Sequence, residues 1–251
     1  MPSLIEHVLV SLPYDLTDRV LFGSHRAAVP LQVIVQHLIG GPRPATFQLD
    51  GHTFHCETAH KYFFERENFE RSVWEILRQQ IGPQDVVYDI GAHFGFWAIR
   101  LSGLCKNVVA FEPSSVNIHT VRRNAGRIPN VQIVNCAVGS VDGVVNFLEC
   151  GSMSKVNTGD EKVTMMTVDS ATSRYPVPSC LMIDVEGHAA DVLKGAARTL
   201  AGVTSVVCEI HDPSEQEAVF GELSGSYSIR FIDHDASRYP FRILASKAKV
   251  R

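Results

Sequence analysis

Apolar positions change their rhythm at about Val86. Before it, runs at helical spacing over Leu4 to Leu12, Leu31 to Leu38 and Phe69 to Gln79 flank one alternating segment, TFQLDGHTFHC. Asp50-Gly51 in its middle predicts a two-residue type I′ turn between two strands. Phe69, Val73, Ile76 and Leu77 line one face of the last helix, and Gly82-Pro83 ends it. After Val86, strand-length apolar runs alternate with helical patterns: VVYDI then 95–105, VVAFE then 114–126, VQIVNCAV, CLMIDV then 189–201, and SVVCEI then 213–224. Near-continuous Val and Ile runs suit strands covered by helices on both faces. SIRFID and RILAS, joined by the polar turn HDASRYP, predict a closing antiparallel hairpin, and VVNFLE and VTMMTVD an excursion at one sheet edge. The pattern thus predicts an α/β chain with a doubly wound, mostly parallel sheet, residues 81–251, preceded by an N-terminal helical and hairpin segment, residues 1–80.

In such a sheet, ligands bind at the carboxyl ends of the strands, where the strand order reverses. The first strand of the main domain runs into VYDIGAHFGF, whose glycines would let a ligand approach the backbone beside a helix N-terminus. A nicotinamide or flavin fingerprint needs G-x-G-x-x-G, whereas this loop has Gly91, then His93 at the middle position, then Gly95 followed by Phe96. That weakens the dinucleotide reading, and an NAD(P)-dependent oxidoreductase stays only as an alternative. Glu112 ends the second strand, 21 residues after Gly91, placed to accept hydrogen bonds from both hydroxyls of a ribose. Loop and acid together point to a nucleoside cofactor.

The ordered series VYDIGAHFGF, VVAFEPSSVNIHTVRRN, VNCAVGSVDGVVNF, VTMMTVDS, LMIDVEGHAADVLKGA and VVCEIH, over about Tyr62 to His211, resembles the FkbM-type S-adenosylmethionine-dependent methyltransferases. The resemblance implies the Rossmann-like class I methyltransferase fold, a seven-stranded sheet with one antiparallel strand. It implies S-adenosyl-L-methionine as cofactor and O-methylation of a hydroxyl on a small molecule such as a sugar or natural product. By the same resemblance Asp89, Gly91, Ala92 and Gly95, with His93 in the same loop, line the methionine part. Glu112, with Pro113 beside it, holds the ribose; Cys136, Ala137 and Val138 flank the adenine; Asn117 lies near the ribose or adenine, and Asn124 is structural. Two positions depart from the pattern: His93 stands where the family usually has asparagine, and Met182 where a lysine commonly precedes I-D-V-E-G.

Methyl transfer to an alcohol is an in-line displacement in which alignment contributes on the order of 7 to 11 kcal/mol and a positioned base roughly 3 to 5 kcal/mol. Candidates for the proton-accepting group sit at the ends of the fourth and fifth strands. Asp184 is the first choice as general base or substrate orienter, with His211 next because imidazole titrates near neutrality. Glu186 is either catalytic or a cap for the helix starting at His188, and Glu209 either catalytic or bonded to a neighbouring loop. Asp184, Glu209 and His211 could together hold a hard divalent ion, but a base without a metal explains the same side chains, and no metal is assigned. His52, His55, His60, His119 and His188 read as surface or half-buried residues. Tyr62, Phe63, Phe64 and Trp97 either cover the cofactor or simply pack, and GSMSKVNTGDEK, residues Gly151 to Lys162, reads as a substrate loop or merely a loop.

Composition adds limits. Of 251 residues, 45% are hydrophobic and 20% charged; the net charge of −4 disfavours nucleic acid as a partner, and a small hydroxylated acceptor is what the resemblance implies. The six cysteines show no C-x-x-C pair and read as reduced core thiols. MPSLIEHVLVSL lacks a basic leader, and the apolar stretch around VPLQVIVQHLIGG is too short to span a bilayer, so a soluble, cytoplasmic chain without a membrane span is expected. Apolar faces on the N-terminal helices permit a homodimer or equally cover their own sheet. A catalytically inactive, methyltransferase-like binding module is the remaining alternative, against which Asp89, Glu112 and Asp184 argue.

Overall fold

A computed structural model describes residues 44–57, 60, 61, 64, 70–149, 154–232 and 239–247. The helical patterns at Leu4 to Leu12 and Leu31 to Leu38, together with Tyr62, Phe63, Phe69, residues 151–153 and most of the HDASRYP turn, lie outside them. The chain divides into two compact units, Met1–Phe69 and Glu70–Arg251.

In the first unit β1 (Pro44–Leu49) and β2 (His52–Glu57) form the expected antiparallel hairpin, with Gln48 opposite Thr53. Asp50 and Gly51 both adopt positive φ, 49° and 79°, as a type I′ turn requires. Phe47 and Phe54, opposite one another, stack with centroids 4.9 Å apart.

The second unit opens with α1 (Arg71–Gln80), which buries Val73 and Leu77. Its Trp74 lies over the guanidinium of Arg100 at 4.1 Å, and Arg100 also faces Trp97 and Phe96. Trp97 is therefore committed to packing α1 against α2 (Phe96–Ser102). The main sheet is built from β3 (Val86–Ile90), β4 (Asn107–Phe111), β5 (Val131–Val134), β10 (Cys180–Ile183), β11 (Ser205–Ile210), β12 (Ser228–Phe231) and β13 (Phe241–Ser246), in the spatial order β12-β13-β11-β10-β3-β4-β5. Only β13 runs against its neighbours. The order reverses at β3, which pairs in parallel with both β4 and β10, and the carboxyl ends of strands at such a reversal are where open α/β sheets bind ligands. Around the sheet lie α3 (Asn117–Ala125), α4 (Val168–Ala171), α5 (Ala189–Lys194) and α6 (Pro213–Leu223). Strands β3, β10 and β11 are buried almost throughout, as expected of strands covered on both faces.

Four expectations need correction. VQIVNCAV is not one strand: Asn135 donates its side-chain amide to the carbonyls of Glu112 and Pro113, which turns the chain after β5. The following Ala137–Val138 (β6) joins a separate sheet with β7 (Gly143–Leu148), β8 (Lys155–Val156) and β9 (Glu161–Met166) in the order β6-β9-β7-β8. VVNFLE and VTMMTVD thus form a second sheet with its own small core of Ala137, Phe147, Val163 and Met165 rather than an edge of the first. Part of the polar GSMSKVNTGDEK segment is strand, since Lys155–Val156 pairs with Phe147–Leu148. The helix expected over 189–201 ends at Lys194, where Gly195 packs so closely that a Cβ there would stand 2.0 Å from the carbonyl oxygen of Gly139.

Among the described residues no helix is long and apolar enough to cross a membrane. Cys56, Cys105, Cys136, Cys180 and Cys208 are buried.

Candidate active site

The turn after β3 is closed by its own chain. The amides of Gly91 and Ala92 both donate to the Phe111 carbonyl at 3.0 Å, that of His93 donates to Glu112 Oε2 at 2.7 Å, and that of Gly95 to the Ala92 carbonyl. Gly91, at φ 92°, sits where a Cβ would lie 1.9 Å from the carbonyl oxygen of Asp184. This glycine thus admits the backbone at the end of β10, not only a ligand. Gly95, at φ 88°, starts α2 with ordinary contacts to Val121 and Ala125 of α3. His93 also takes a positive φ, 53°. Asparagine and histidine tolerate that conformation better than most residues, which accounts for this exchange with the family's usual asparagine.

Asp89 is 1% exposed beneath this turn. Its carboxylate accepts a hydrogen bond from the Ala98 amide of α2, while Oδ2 is buried without a partner. Its neighbours in register are Met182 on β10 and Ala110 on β4, both apolar. Burial raises its pKa from 3.8 to about 7, partly offset by the Ala98 amide. Folded Asp89 therefore holds a proton that the unfolded chain releases above about pH 4, so its contribution favours the fold at low pH and is lost as pH rises to about 7. A displacement of that size corresponds to roughly 4 kcal/mol. We expect the melting temperature of the free protein to fall between pH 5 and pH 8, and to fall less in Asp89→Asn. Parallel pH profiles for the two proteins in thermal denaturation would contradict this.

Glu112, 5% exposed, spans the turn and the start of α3. Besides the His93 amide it accepts the Ser114 amide at 2.9 Å through Oε1, and it hydrogen-bonds the Asn117 side chain. Burial raises it to about 7 against these bonds, with the Glu149 carboxylate adding to the rise. Pro113 is half-buried beside it. Asn124 donates to the Phe94 carbonyl at 2.7 Å, tying α3 to the turn. Cys136, Ala137 and Val138 are buried, and burial lifts the Cys136 thiol to about 11.

Next to this turn the ends of β10 and β11 bring Asp184, Glu186, Glu209 and His211 together. His211 Nε2 lies 3.3 Å from both Glu186 Oε2 and Glu209 Oε2, and Nδ1 lies 3.3 Å from Glu215 Oε2. Asp184 and Glu209 hydrogen-bond each other. Burial alone would lower His211, but its bonds to Glu209 and Glu215 raise it to about 11, so it is an imidazolium at neutral pH. Burial would raise Glu209, yet Arg242 and His211 hold it well below the usual carboxylate range. Burial and the neighbouring Glu209 charge push Asp184 well above that range. Burial also raises Glu186, against the pull of His211.

Sequence reasoning missed three residues of this cluster. Glu215 of α6 accepts the amides of His211 and Ala189, so it, rather than Glu186, satisfies the start of α5. Arg242 of β13 contacts Glu209 Oε1 at 2.7 Å, and it also pairs with Glu70 just before α1. The pattern D-P-S-E at 212–215 was the available signal for Glu215, because it reads as a capping box; Asp212 does cap α6 through Ser214 and Glu215. The far end of the second sheet meets this edge, since His188 Nε2 lies 3.2 Å from the Val156 carbonyl. Asp184, Glu209 and His211 could offer donor atoms within 4.8 Å of one another to an ion, but each already has protein partners and no ion is assigned.

The sequence profile of the family described as the methyltransferase FkbM domain matches residues 89–234. The hexuronic acid methyltransferase AglP of Haloferax volcanii is 29% identical over 178 residues, 66% of this chain and 74% of that protein. An rRNA adenine N-6-methyltransferase of Bacteroides fragilis is 38% identical over 61 residues, 24% of this chain and 23% of that protein. A solved structure of methyltransferase FkbM from Methylobacillus flagellatus KT superposes with a TM-score of 0.53 at 17% identity, over 74% of this chain and 50% of that one. That last likeness is one of fold.

Proposed function

The chain belongs to the methyltransferase FkbM family, and from that membership we propose that it moves the methyl group of S-adenosylmethionine onto a hydroxyl oxygen of a small, sugar-like acceptor. One observation carries this reading. The main chain of Asp184 abuts Gly91, so the turn after β3 and the acidic cluster face the same crevice. The residues of the turn fit the cofactor: the unpartnered Oδ2 of buried Asp89 suits an ammonium group, and the Glu112 carboxylate, already fixed by two amides, has lone pairs left for a ribose diol. When bound, that cofactor supplies a methyl group already activated by a positive sulfur.

The chain then has to hold and align. Burial holds Asp89 partly protonated near neutral pH, and an incoming ammonium favours its ionised form, the proton leaving to water. Alignment of acceptor and methyl group provides the larger part of the acceleration. Asp184 rather than His211 takes the hydroxyl proton, since His211 already carries one at neutral pH. The Asp184–Glu209 pair shares a proton of its own, so Asp184 passes that proton to the ionised Glu209 as it takes the one from the hydroxyl. A sugar acceptor is favoured by the name of the Haloferax relative, whose substrate class is a hexuronic acid, and by carboxylates suited to accepting hydroxyl hydrogens. The net charge of −4 supports a small acceptor over RNA. Family membership displaces the nicotinamide reading.

The test is transfer of labelled methyl from S-adenosylmethionine to methyl glucuronoside and methyl glucoside, with products resolved as ethers or esters. We expect an ether, and a loss on the order of 10²-fold or more in Asp184→Asn. Label found only in an ester would overturn O-methylation of a hydroxyl, and cofactor binding without turnover across a panel of hydroxylated acceptors would favour the inactive binding module.

A further inference from the structure

Arg242 lies outside the stretch 89–234 matched by the family profile, and so does Glu70. The antiparallel register of β13 on β11 sets Arg242 opposite Glu209, and its Nη2 bridges Glu209 and Glu70. We propose that Arg242 is a positioning residue for methyl transfer, fixing Glu209 so that Asp184 presents its outward oxygen to the acceptor hydroxyl. The inference rests on the methyltransferase reading of this site.

A guanidinium keeps its proton at every working pH, so the carboxylate it touches stays ionised. Asp184 from the end of β10, His211 from the end of β11 and Arg242 from β13 all face Glu209. Behind them, Glu186 and Glu215 engage His211, and Glu70 shares the guanidinium. Two hydrogen-bonded carboxyl groups need one proton between them. With Glu209 held anionic from two sides, that proton sits on Asp184 and points at Glu209. The other Asp184 oxygen is thereby turned into a hydrogen-bond acceptor of fixed direction, and as it takes the hydroxyl proton the proton facing Glu209 passes to that carboxylate, so the pair gains one proton in all. Without Arg242 the proton divides between the two carboxyl groups and that direction is lost. Lysine would keep the charge but not the planar geometry.

Carbon-13 carboxyl NMR on the full chain, loaded with S-adenosylhomocysteine, reads this directly once the Glu209 signal has been assigned by its absence in Glu209→Gln. In the wild type, Glu209 should stay at the ionised shift from about pH 4 to 8, against an ordinary glutamate midpoint near 4.3. In Arg242→Met its titration should enter that window, and Arg242→Lys should lie between. With an acceptor in hand, Arg242→Met should lower kcat by about tenfold or more, as loss of part of a base contribution would, while the KM for S-adenosylmethionine stays within about twofold. If Arg242→Met does not fold, Arg242→Lys and Glu70→Gln against the wild type carry the comparison. A Glu209 titration indifferent to residue 242, with the product cofactor still bound, overturns the inference alone. Failure of the wild type to bind that cofactor strikes instead at the methyltransferase reading.

Discussion

Gly91→Ala should unfold in urea at a far lower concentration than the wild type, with a loss of roughly 4 kcal/mol or more. Two effects add at this position. Its φ of 92° is one that a side chain rarely adopts, and a Cβ would stand 1.9 Å from the Asp184 carbonyl oxygen and 2.9 Å from its carbonyl carbon. Those are backbone atoms of a strand end locked in the sheet, where the Asp184 amide bonds the Ile90 carbonyl at 2.9 Å. No rotamer change relieves the clash; β3 and β10 would have to part. Gly95→Ala separates the two effects. Its φ is similar, 88°, but its Cβ would meet nothing closer than 3.6 Å, so only the conformational penalty of about 1 to 2 kcal/mol remains. Equal losses in the two variants would show that close approach at Gly91 is not what makes it glycine. A folded but displaced Gly91→Ala should also move Asp184 and with it the acidic cluster.

Glu112→Ala should weaken S-adenosylhomocysteine binding by about 1 to 3 kcal/mol, roughly 5- to 150-fold in Kd by calorimetry. The side chain accepts the His93 and Ser114 amides, so its removal leaves two donors without their acceptor, each a loss of about 1 to 3 kcal/mol. The variant should therefore also melt earlier. That structural loss is reduced because a buried carboxyl raised to about 7 is itself unfavourable when ionised. Glu112→Gln keeps one acceptor oxygen but turns an NH₂ toward one of the two amides, and should fall between. An unchanged Kd in Glu112→Ala would refute the ribose assignment, whatever happened to stability.

The sheet and its closing hairpin were readable in the sequence because strands buried on both faces leave near-continuous Val and Ile runs, as β3, β10 and β11 do. The split of VQIVNCAV was not. It depends on the Asn135 side chain reaching the carbonyls of Glu112 and Pro113, a contact 22 or more residues away that no local periodicity encodes. The second sheet was half legible: its strands alternate, but alternation does not say which sheet they join. For the site, Asp89, Glu112, Asp184, Glu209 and His211 stood out because they end strands. Arg242 and Glu70 did not, since the first depends on the register of an antiparallel strand and the second on a contact 172 positions distant in the chain. The two departures from the family pattern have physical readings in the structure. His93 occupies a left-handed position, and Met182 sits in register beside Asp89, where a lysine would place a cation near the carboxylate that here has a partnerless oxygen.

The central claim is that the crevice where the strand order reverses takes a sulfonium nucleoside, with Glu112 on its pentose and Asp184 facing the transferred group. A crystal structure of the chain with S-adenosylhomocysteine measures this most directly. Both ribose hydroxyls should lie within hydrogen-bonding distance of the Glu112 carboxylate, the amino group against Asp89 Oδ2, and the sulfur should be directed toward Asp184. A ligand bound elsewhere, or a crevice filled by side chains with Glu112 engaged only by its own loop, would contradict it.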